Sequence, residues 1–396
     1  MTKPLAFLAA LFVPIAVQSQ VTISAARALD GRGAAMNDVF VTIQNGRIDR
    51  IEPGVHRAAT YPLGDVTLMP GLIDDHVHIG WFVDRNGKRN GRGSPDTPAQ
   101  AALVRAGNLY QTLIAGFTTV QSVGGGEDID LRDATARNVT PGPRILTSIA
   151  QLTQSPGAPP ISPDSLRASV RRLKEMGADL IKLFASAGLG GGGGQTMSDE
   201  QLQAICGEAK AQGLRTVVHA ISAQSVRASV LAGCGQIEHG TYVTDAELKL
   251  MAERGTIFDP QVCLVFQNYI DHPAAYNMND TVVALMKATL PTAATMFRKA
   301  IATPGLKIVF GTDAVALAHG RNADELVCRV GAGQKPMDAI VSATSAAAAS
   351  LGLGDQIGSL APRYQADIIA VAGDPLADIT AMKKVTFVMR AGRVYR

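Results

Sequence analysis

The rhythm of apolar and polar positions changes twice along this chain. From Val21 to about Leu68, short apolar runs alternate with polar residues and are broken by Gly and Asn, as in Val39-Phe40-Val41-Thr42-Ile43 ahead of Asn45-Gly46. A period of two closed by Asn-Gly predicts antiparallel strands and hairpins. The same pattern returns in Ala366–Val371 and in Val385–Met389 before Ala391-Gly392. The two ends of the chain are therefore expected to build one small β-sandwich domain, from residues 20–68 and 352–396.

In the middle, eight short apolar runs alternate with helical patterns: Ile73–Ile79, Thr118–Val123, Arg144–Ala150, Leu180–Ala185, Thr216–His219, Gln236–His239, Thr256–Val262 and Ile308–Asp313. Eight strand-helix units over residues 69–351 predict an α/β fold of the parallel (β/α)8 TIM-barrel type. Helix starts support the segmentation: Ser162-Pro163 places Pro in a first turn, Ser198 with Gln201 and Thr244 with Glu247 form capping boxes, and Ser222 opens another helix. An open doubly wound sheet is the alternative, but no G-x-G-x-x-G follows the first strand.

The amino terminus departs from both patterns. Lys3 precedes an apolar stretch from Leu5 to Val17, and Ser19 follows as a small residue. Such a stretch is shorter than the roughly 20 residues that span a bilayer, so 1–19 is expected to be a secretory signal peptide, with a periplasmic or secreted mature protein and no membrane association after cleavage. Across all 396 residues, 37 Lys and Arg against 34 Asp and Glu leave +3, too little to imply a nucleic-acid partner. A small-molecule substrate fits better, and a homo-oligomer is compatible with it. The four Cys, at 206, 234, 263 and 328, show no close pairing. They read as buried thiols, with one disulfide open to an exported protein.

Candidate chemistry sits at the strand ends. His76 and His78 are two apart on the first strand, so both point to one side. His219, His239 and Asp313 close the fifth, sixth and eighth strands. Imidazole and carboxylate ligands of this kind suit Zn²⁺ first, with Mn²⁺, Fe²⁺ or Co²⁺ as alternatives. Lys182 is embedded in apolar residues on the fourth strand, where an ammonium is costly unless it is paired or neutralised. A neutral amine there can take up CO₂ as a carbamate, while the other reading is an ion-paired lysine.

Met69-Pro70-Gly71-Leu72-Ile73-Asp74-Asp75-His76-Val77-His78, Ile237-Glu238-His239-Gly240, Gly311-Thr312-Asp313-Ala314 and Ala361–Asp378 resemble the amidohydrolase superfamily, in its imidazolonepropionase-related branch with Xaa-Pro dipeptidases and ochratoxin-type amidases. The resemblance implies two divalent metal ions: His76, His78 and Asp313 on one, His219 and His239 on the other, with carboxylated Lys182 and a hydroxide bridging both. It implies Asp313 as the catalytic base and Tyr242 and His319 near the substrate. Hydrolysis of an amide or peptide bond in a dipeptide or N-acyl amino acid is then expected. A mononuclear deaminase or cyclic imide or lactone hydrolase is the alternative on the same fold, and a non-catalytic periplasmic binding protein a third. The chain departs from its relatives at Gln121-Ser122, where Arg-Asp is common, and in Gln151–Gly157, which lacks a Gly-Gly-His loop. Two loops remain open to either reading. Gly188–Gln195, six of eight residues Gly, is a lid or a surface loop; Asp84–Arg92 is a substrate-carboxylate contact or a solvated charge run.

Overall fold

The computed structural model describes residues 20–396, so the expected signal peptide at 1–19 lies outside the described residues. No helix among the described residues is long and apolar enough to cross a membrane.

Both chain ends enter one hydrogen-bonded sheet, as the alternating patterns require. Val21–Leu29 pairs antiparallel with Ala35–Gln44, which pairs with Arg47–Pro53; on its other edge Val21–Leu29 meets Val66–Pro70, and that strand carries Ile368–Ala372 and Val385–Arg390. The period of two decides which core each side chain joins. Ile368 and Ala370 pack with Ile23, Val41, Phe387 and Met389, whereas Ile369 and Val371 face Leu113, Phe117 and Phe310. Alternate residues thus fasten the terminal sheet to the central strands.

The central strands are parallel and TIM-barrel-like. They form two arcs, one of Leu72–Val77, Phe117–Ser122 and Arg144–Thr147, the other running from Gln151–Leu152 through Leu180–Phe184, Arg215–Ser222, Gln236–Tyr242 and Ile257–Asp259 to Lys307–Ile308. At one seam Asp75 N donates to the Phe310 carbonyl (2.9 Å), Asp313 N to that of His76 (2.8 Å) and His78 N to that of Ala314 (2.9 Å). At the other, Asp179 N donates to the Thr147 carbonyl at 2.9 Å.

Three expected strands are much shorter than their apolar runs, and of these Thr256–Val262 keeps regular pairing over Ile257–Asp259 alone. Arg144–Ala150 keeps regular pairing only to Thr147, and Ile149 beyond it sits at φ 63°, outside the extended region of a strand. Ile308–Asp313 keeps regular pairing only at its start, because Val309–Asp313 exchanges its ladder for contacts with helix ends and the first strand.

The expected helix starts are present. Ser198/Gln201 and Thr244/Glu247 form complete capping boxes, and Ser162 and Ser222 accept from the backbone three residues on. The reading of the cysteines is corrected: all four are oxidised, as Cys206–Cys234 and Cys263–Cys328. Sequence separations of 28 and 65 hide both pairs from any spacing rule, because helices return each partner from afar.

Candidate metal centre

The alternation of the first strand sends Asp74, His76 and His78 to one side. His76 and His78 present their Nε2 atoms to Asp313 Oδ1, at 3.5 and 3.1 Å. These three offer ligand atoms within 4.8 Å of one another. The imidazoles continue around the strand ends, with ring centres 5.2 Å apart for His76 and His239 and 4.6 Å for His219 and His239. Neither His219 nor His239 finds a third His, Cys, Asp or Glu ligand at such range among the described residues. The cation acting on both is Lys182. Its side chain stands 5.5 Å from the Phe184 ring, which stacks on His219 at 4.4 Å.

Backbone strain supports this convergence. His239 and Asp313 both adopt positive φ, 67° and 51°. Such conformations cost about 1–3 kcal/mol and persist where surrounding structure enforces them. Gly124 supplies room, since a Cβ there would lie 2.7 Å from His78 Nδ1.

The electrostatics suit cations. Burial drives His219 down to about 3, with Lys182 adding to the effect, and holds His76 and His239 well below the usual imidazole range, so these rings are neutral and carry free lone pairs. Burial alone would raise Asp313, but His76, His78 and Lys182 hold its carboxyl below the ordinary value. Lys182 is 1% exposed, its amine has no hydrogen-bond partner among the described residues, and burial lowers its pKa against the pull of Glu238, Asp313 and Asp259. A buried amine of this kind, amid neutral imidazoles, fits a site built for positive charge brought in from outside.

Supporting residues went unnoticed in the sequence reading. Glu238 accepts from His76 Nδ1 at 2.5 Å, which leaves Nε2 for a ligand bond, and Gln236 donates to the other Glu238 oxygen at 2.9 Å. Burial pushes Glu238 up to about 7 and Asp259 well above the carboxylate range. Asp74 accepts from Thr312 Oγ (2.7 Å) and Asn322 (2.6 Å), joining the first strand to the segment carrying Asp313. Fully buried Arg329 donates to the Val309 carbonyl at 2.7 Å and the Pro260 carbonyl at 2.5 Å and lies 3.3 Å from Asp259. The available signal was a charged residue in an apolar run, which Glu238 and Arg329 share with Lys182.

The other expected site residues divide. Tyr242 is 40% exposed, at the end of its strand. His319 is buried, its Nε2 meeting the Trp81 carbonyl at 3.0 Å, and burial lowers its pKa to about 4. It braces Trp81, the indole stacked on His78 with centres 4.1 Å apart. Gln121 donates to the Asp75 carbonyl (2.7 Å) and accepts from Arg215 (2.6 Å), so it ties the first strand to the fifth. The Gly-rich stretch forms a tight hairpin: Ala187 N donates to the Gly194 carbonyl at 2.9 Å, and His219 Nε2 lies 3.4 Å from the Ala187 carbonyl.

Known proteins resemble this chain in sequence and in fold. The amidohydrolase family model matches residues 67–395. Ochratoxinase of Aspergillus niger is 27% identical over 373 residues, covering 83% of this chain and 75% of that protein. Imidazolonepropionase of Deinococcus deserti is 25% identical over 400 residues, covering 88% and 90%. The crystal structure of a Xaa-Pro dipeptidase with bound methionine in the active site superposes with a TM-score of 0.84 at 28% identity, covering 96% of this chain and all of the other. The chain belongs to the amidohydrolase family, as a hydrolase acting on C–N bonds.

Proposed function

We propose that this protein is an exported hydrolase that cleaves the amide or peptide bond of a small substrate, a dipeptide or an N-acyl amino acid, at a two-metal site. The observation that carries the reading is the meeting of four imidazoles, Asp313 and the unpartnered Lys182 amine at the ends of separate strands. His76, His78 and Asp313 would hold one divalent cation, Zn²⁺ by ligand preference, and His219 and His239 the other. Lys182 would bridge them as a carbamate: its neutral amine adds to CO₂, releases one proton and becomes an anion. That conversion would supply the acidic ligand that His219 and His239 lack, in place of a buried amine with no hydrogen-bond partner among the described residues. When bound, such a pair of ions lowers the pKa of water toward neutrality and polarises the scissile carbonyl.

The remaining work belongs to the chain. Asp313, with one oxygen facing two imidazoles, accepts the proton of the attacking water and passes it to the leaving nitrogen. Glu238 fixes the tautomer of His76. Tyr242 stands at the rim as a substrate contact, and the Gly188–Gln195 hairpin borders the site through His219. Export is supported by the apolar leader and by two disulfides, which persist in oxidising compartments.

One observation favours a second reading: His76, His78 and Asp313 converge within 4.8 Å, whereas His219 and His239 join no such group among the described residues, which suits a mononuclear deaminase or cyclic imide or lactone hydrolase. Metal analysis of the purified protein, alongside a hydrolysis screen of dipeptides, N-acyl amino acids, cyclic imides and lactones, separates the two. Two ions per chain with amino-acid release is expected. One ion per chain with ammonia release or ring opening would replace the proposal.

A further inference from the structure

A substrate has to reach a centre that this structure keeps nearly sealed. His76, His78, Lys182 and His239 are buried, and the Asp313 side chain is 14% exposed. One side of the mouth is pinned by hydrogen bonds. The Trp81 carbonyl meets His319 Nε2 and Asn108 Nδ2, both at 3.0 Å. The loop that follows is tied by Arg89 N to the Ala275 carbonyl at 2.8 Å and by Arg85 to Asp96 at 3.1 Å.

The glycine hairpin on the other side is held differently. Gly191 N donates to the Gly188 carbonyl (2.9 Å), Gly192 N to that of Leu189 (2.9 Å), Gly193 N to that of Gly188 (3.1 Å) and Ala187 N to that of Gly194 (2.9 Å). Among the described residues, the backbone hydrogen bonds of Gly188–Gly194 therefore stay inside the hairpin. Its root, by contrast, is fixed. Ser186 and Gln195 pair as a bridge, Gln195 Nε2 donates to the Met197 carbonyl at 2.8 Å, and Ser186 Oγ accepts from Ile221 N at 3.0 Å.

An apolar contact fastens the tip. Half-buried Leu189, the one residue of Gly188–Gly194 with a side chain, packs against the buried cluster of Val265, Phe266, Met286 and Ala293. That cluster belongs to the helices Leu264–Asp271 and Asp280–Ala302, which follow the seventh strand, whereas the hairpin leaves the fourth. The hairpin thus spans the ends of the fifth and sixth strands, which carry His219 and His239. Gly193 marks the crossing: it is buried at φ 68°, and a Cβ there would lie 2.6 Å from the Ile221 side chain on the fifth strand and 3.8 Å from the Tyr242 ring on the sixth.

We propose that Gly188–Gly194 is a lid latched by Leu189. The hairpin lifts as a unit on its root, opens the His219 and His239 side of the centre, and closes when Leu189 regains its cluster. Lifting gives up the burial of one leucine and the Gly193 approach, and it breaks no hydrogen bond between the lifted segment and the frame. Gly188 and Gly194 supply the hinges, since a Cβ at either would meet open space and neither has positive φ, so no tight contact requires glycine there. The lid serves any small substrate of the centre, whichever bond is cleaved.

All four cysteines are paired, so a cysteine placed in the hairpin is a unique free thiol. Maleimide labelling of Leu189→Cys reports how often the latch is out, with Gly190→Cys, at an exposed position with open space, as the reference. Leu189→Cys should label at least about 10-fold more slowly than the reference. Adding Gly188→Ala and Gly194→Ala should slow it by about 2- to 5-fold more, because alanine narrows the open ensemble. Access to the centre is read in parallel by extracting Zn²⁺ from the loaded protein with pyridine-2,6-dicarboxylate. Leu189→Ala should speed extraction by about 10-fold, and the two glycine substitutions should slow it by about 2- to 5-fold. Equal labelling of Leu189→Cys and Gly190→Cys, extraction indifferent to Leu189→Ala, or a change of the same sign in both variants would overturn the lid. Protein that takes up no Zn²⁺ fails the two-metal reading, and labelling then decides alone.

Discussion

Replacing Lys182 by Met should change the protein's stability in opposite directions with and without metal. Without metal, Lys182 is 1% exposed with no hydrogen-bond partner among the described residues, so the substitution removes a poorly compensated buried amine and keeps most of the side-chain volume. Leaving a buried polar group without a hydrogen-bond partner costs about 1–3 kcal/mol, which the substitution would recover. For a chain of this length that corresponds to a rise of roughly 1–4 °C in melting temperature. The pH dependence has a definite sign. The folded pKa of Lys182 lies below its ordinary 10.5, so between those two values the unfolded chain binds more protons and the stability of the metal-free wild type rises with pH. Lys182→Met should lack that contribution. Loading with Zn²⁺ reverses the order, because a cation held at 100 times its dissociation constant stabilises by about 2.7 kcal/mol and the variant would forfeit one site. Differential scanning fluorimetry in chelator and in Zn²⁺, with metal analysis and turnover alongside, reads all of this. A variant that melts below wild type in chelator, or keeps two ions and near wild-type turnover, would refute the reasoning.

Three further outcomes follow from other parts of the molecule. Asp313→Asn should keep its circular dichroism spectrum but lose at least about 10²-fold in kcat, and a near wild-type rate would remove Asp313 from the proton transfer. Arg329→Met should cost about 3–5 kcal/mol in urea unfolding, because Asp259 and Glu325 are left buried without their cation and the Val309 and Pro260 carbonyls lose a donor. Reduction of both disulfides should lower stability by roughly 3.5–4.5 kcal/mol each on loop-closure grounds, given their separations of 28 and 65 residues, so that a melting temperature unmoved by reductant would speak against the pairing.

The strand-helix alternation, the helix starts and the strand-end histidines were legible because each is a local signal. Ser198 with Gln201 and Thr244 with Glu247 cap their helices through atoms three residues apart, and His76 and His78 share a side by the period of a strand. What stayed hidden depends on distant partners. Nothing near Cys263 announces Cys328, and nothing in the run Asp84–Arg92 distinguishes Arg89 from Arg85 until Asp96 claims one and Trp81 the other. Ile149 shows the opposite error: its side chain belongs in a strand, and its backbone leaves one.

The alternation rule itself fails where the chemistry is densest, and the failure has a single cause. Period two sends Asp74, His76 and His78 to one side, yet Glu238 and His239 are neighbours and both meet His76, the first at 2.5 Å and the second ring to ring at 5.2 Å. Thr312 and Asp313 do the same, one bonding Asp74 and the other facing His76 and His78. In each pair the second residue has positive φ, which turns its side chain back toward the side its predecessor already faces. One strand end thereby supplies both a group that faces the metal centre and a group that braces the opposite strand. His and Asp tolerate the left-handed conformation better than branched residues do, so the ligand types and the backbone geometry select one another. A site assembled this way needs a rigid frame around each turned residue. Fully buried Arg329, which grips the carbonyls ahead of Asp313 and lies 3.3 Å from Asp259 beside Glu238, provides that frame at both places at once.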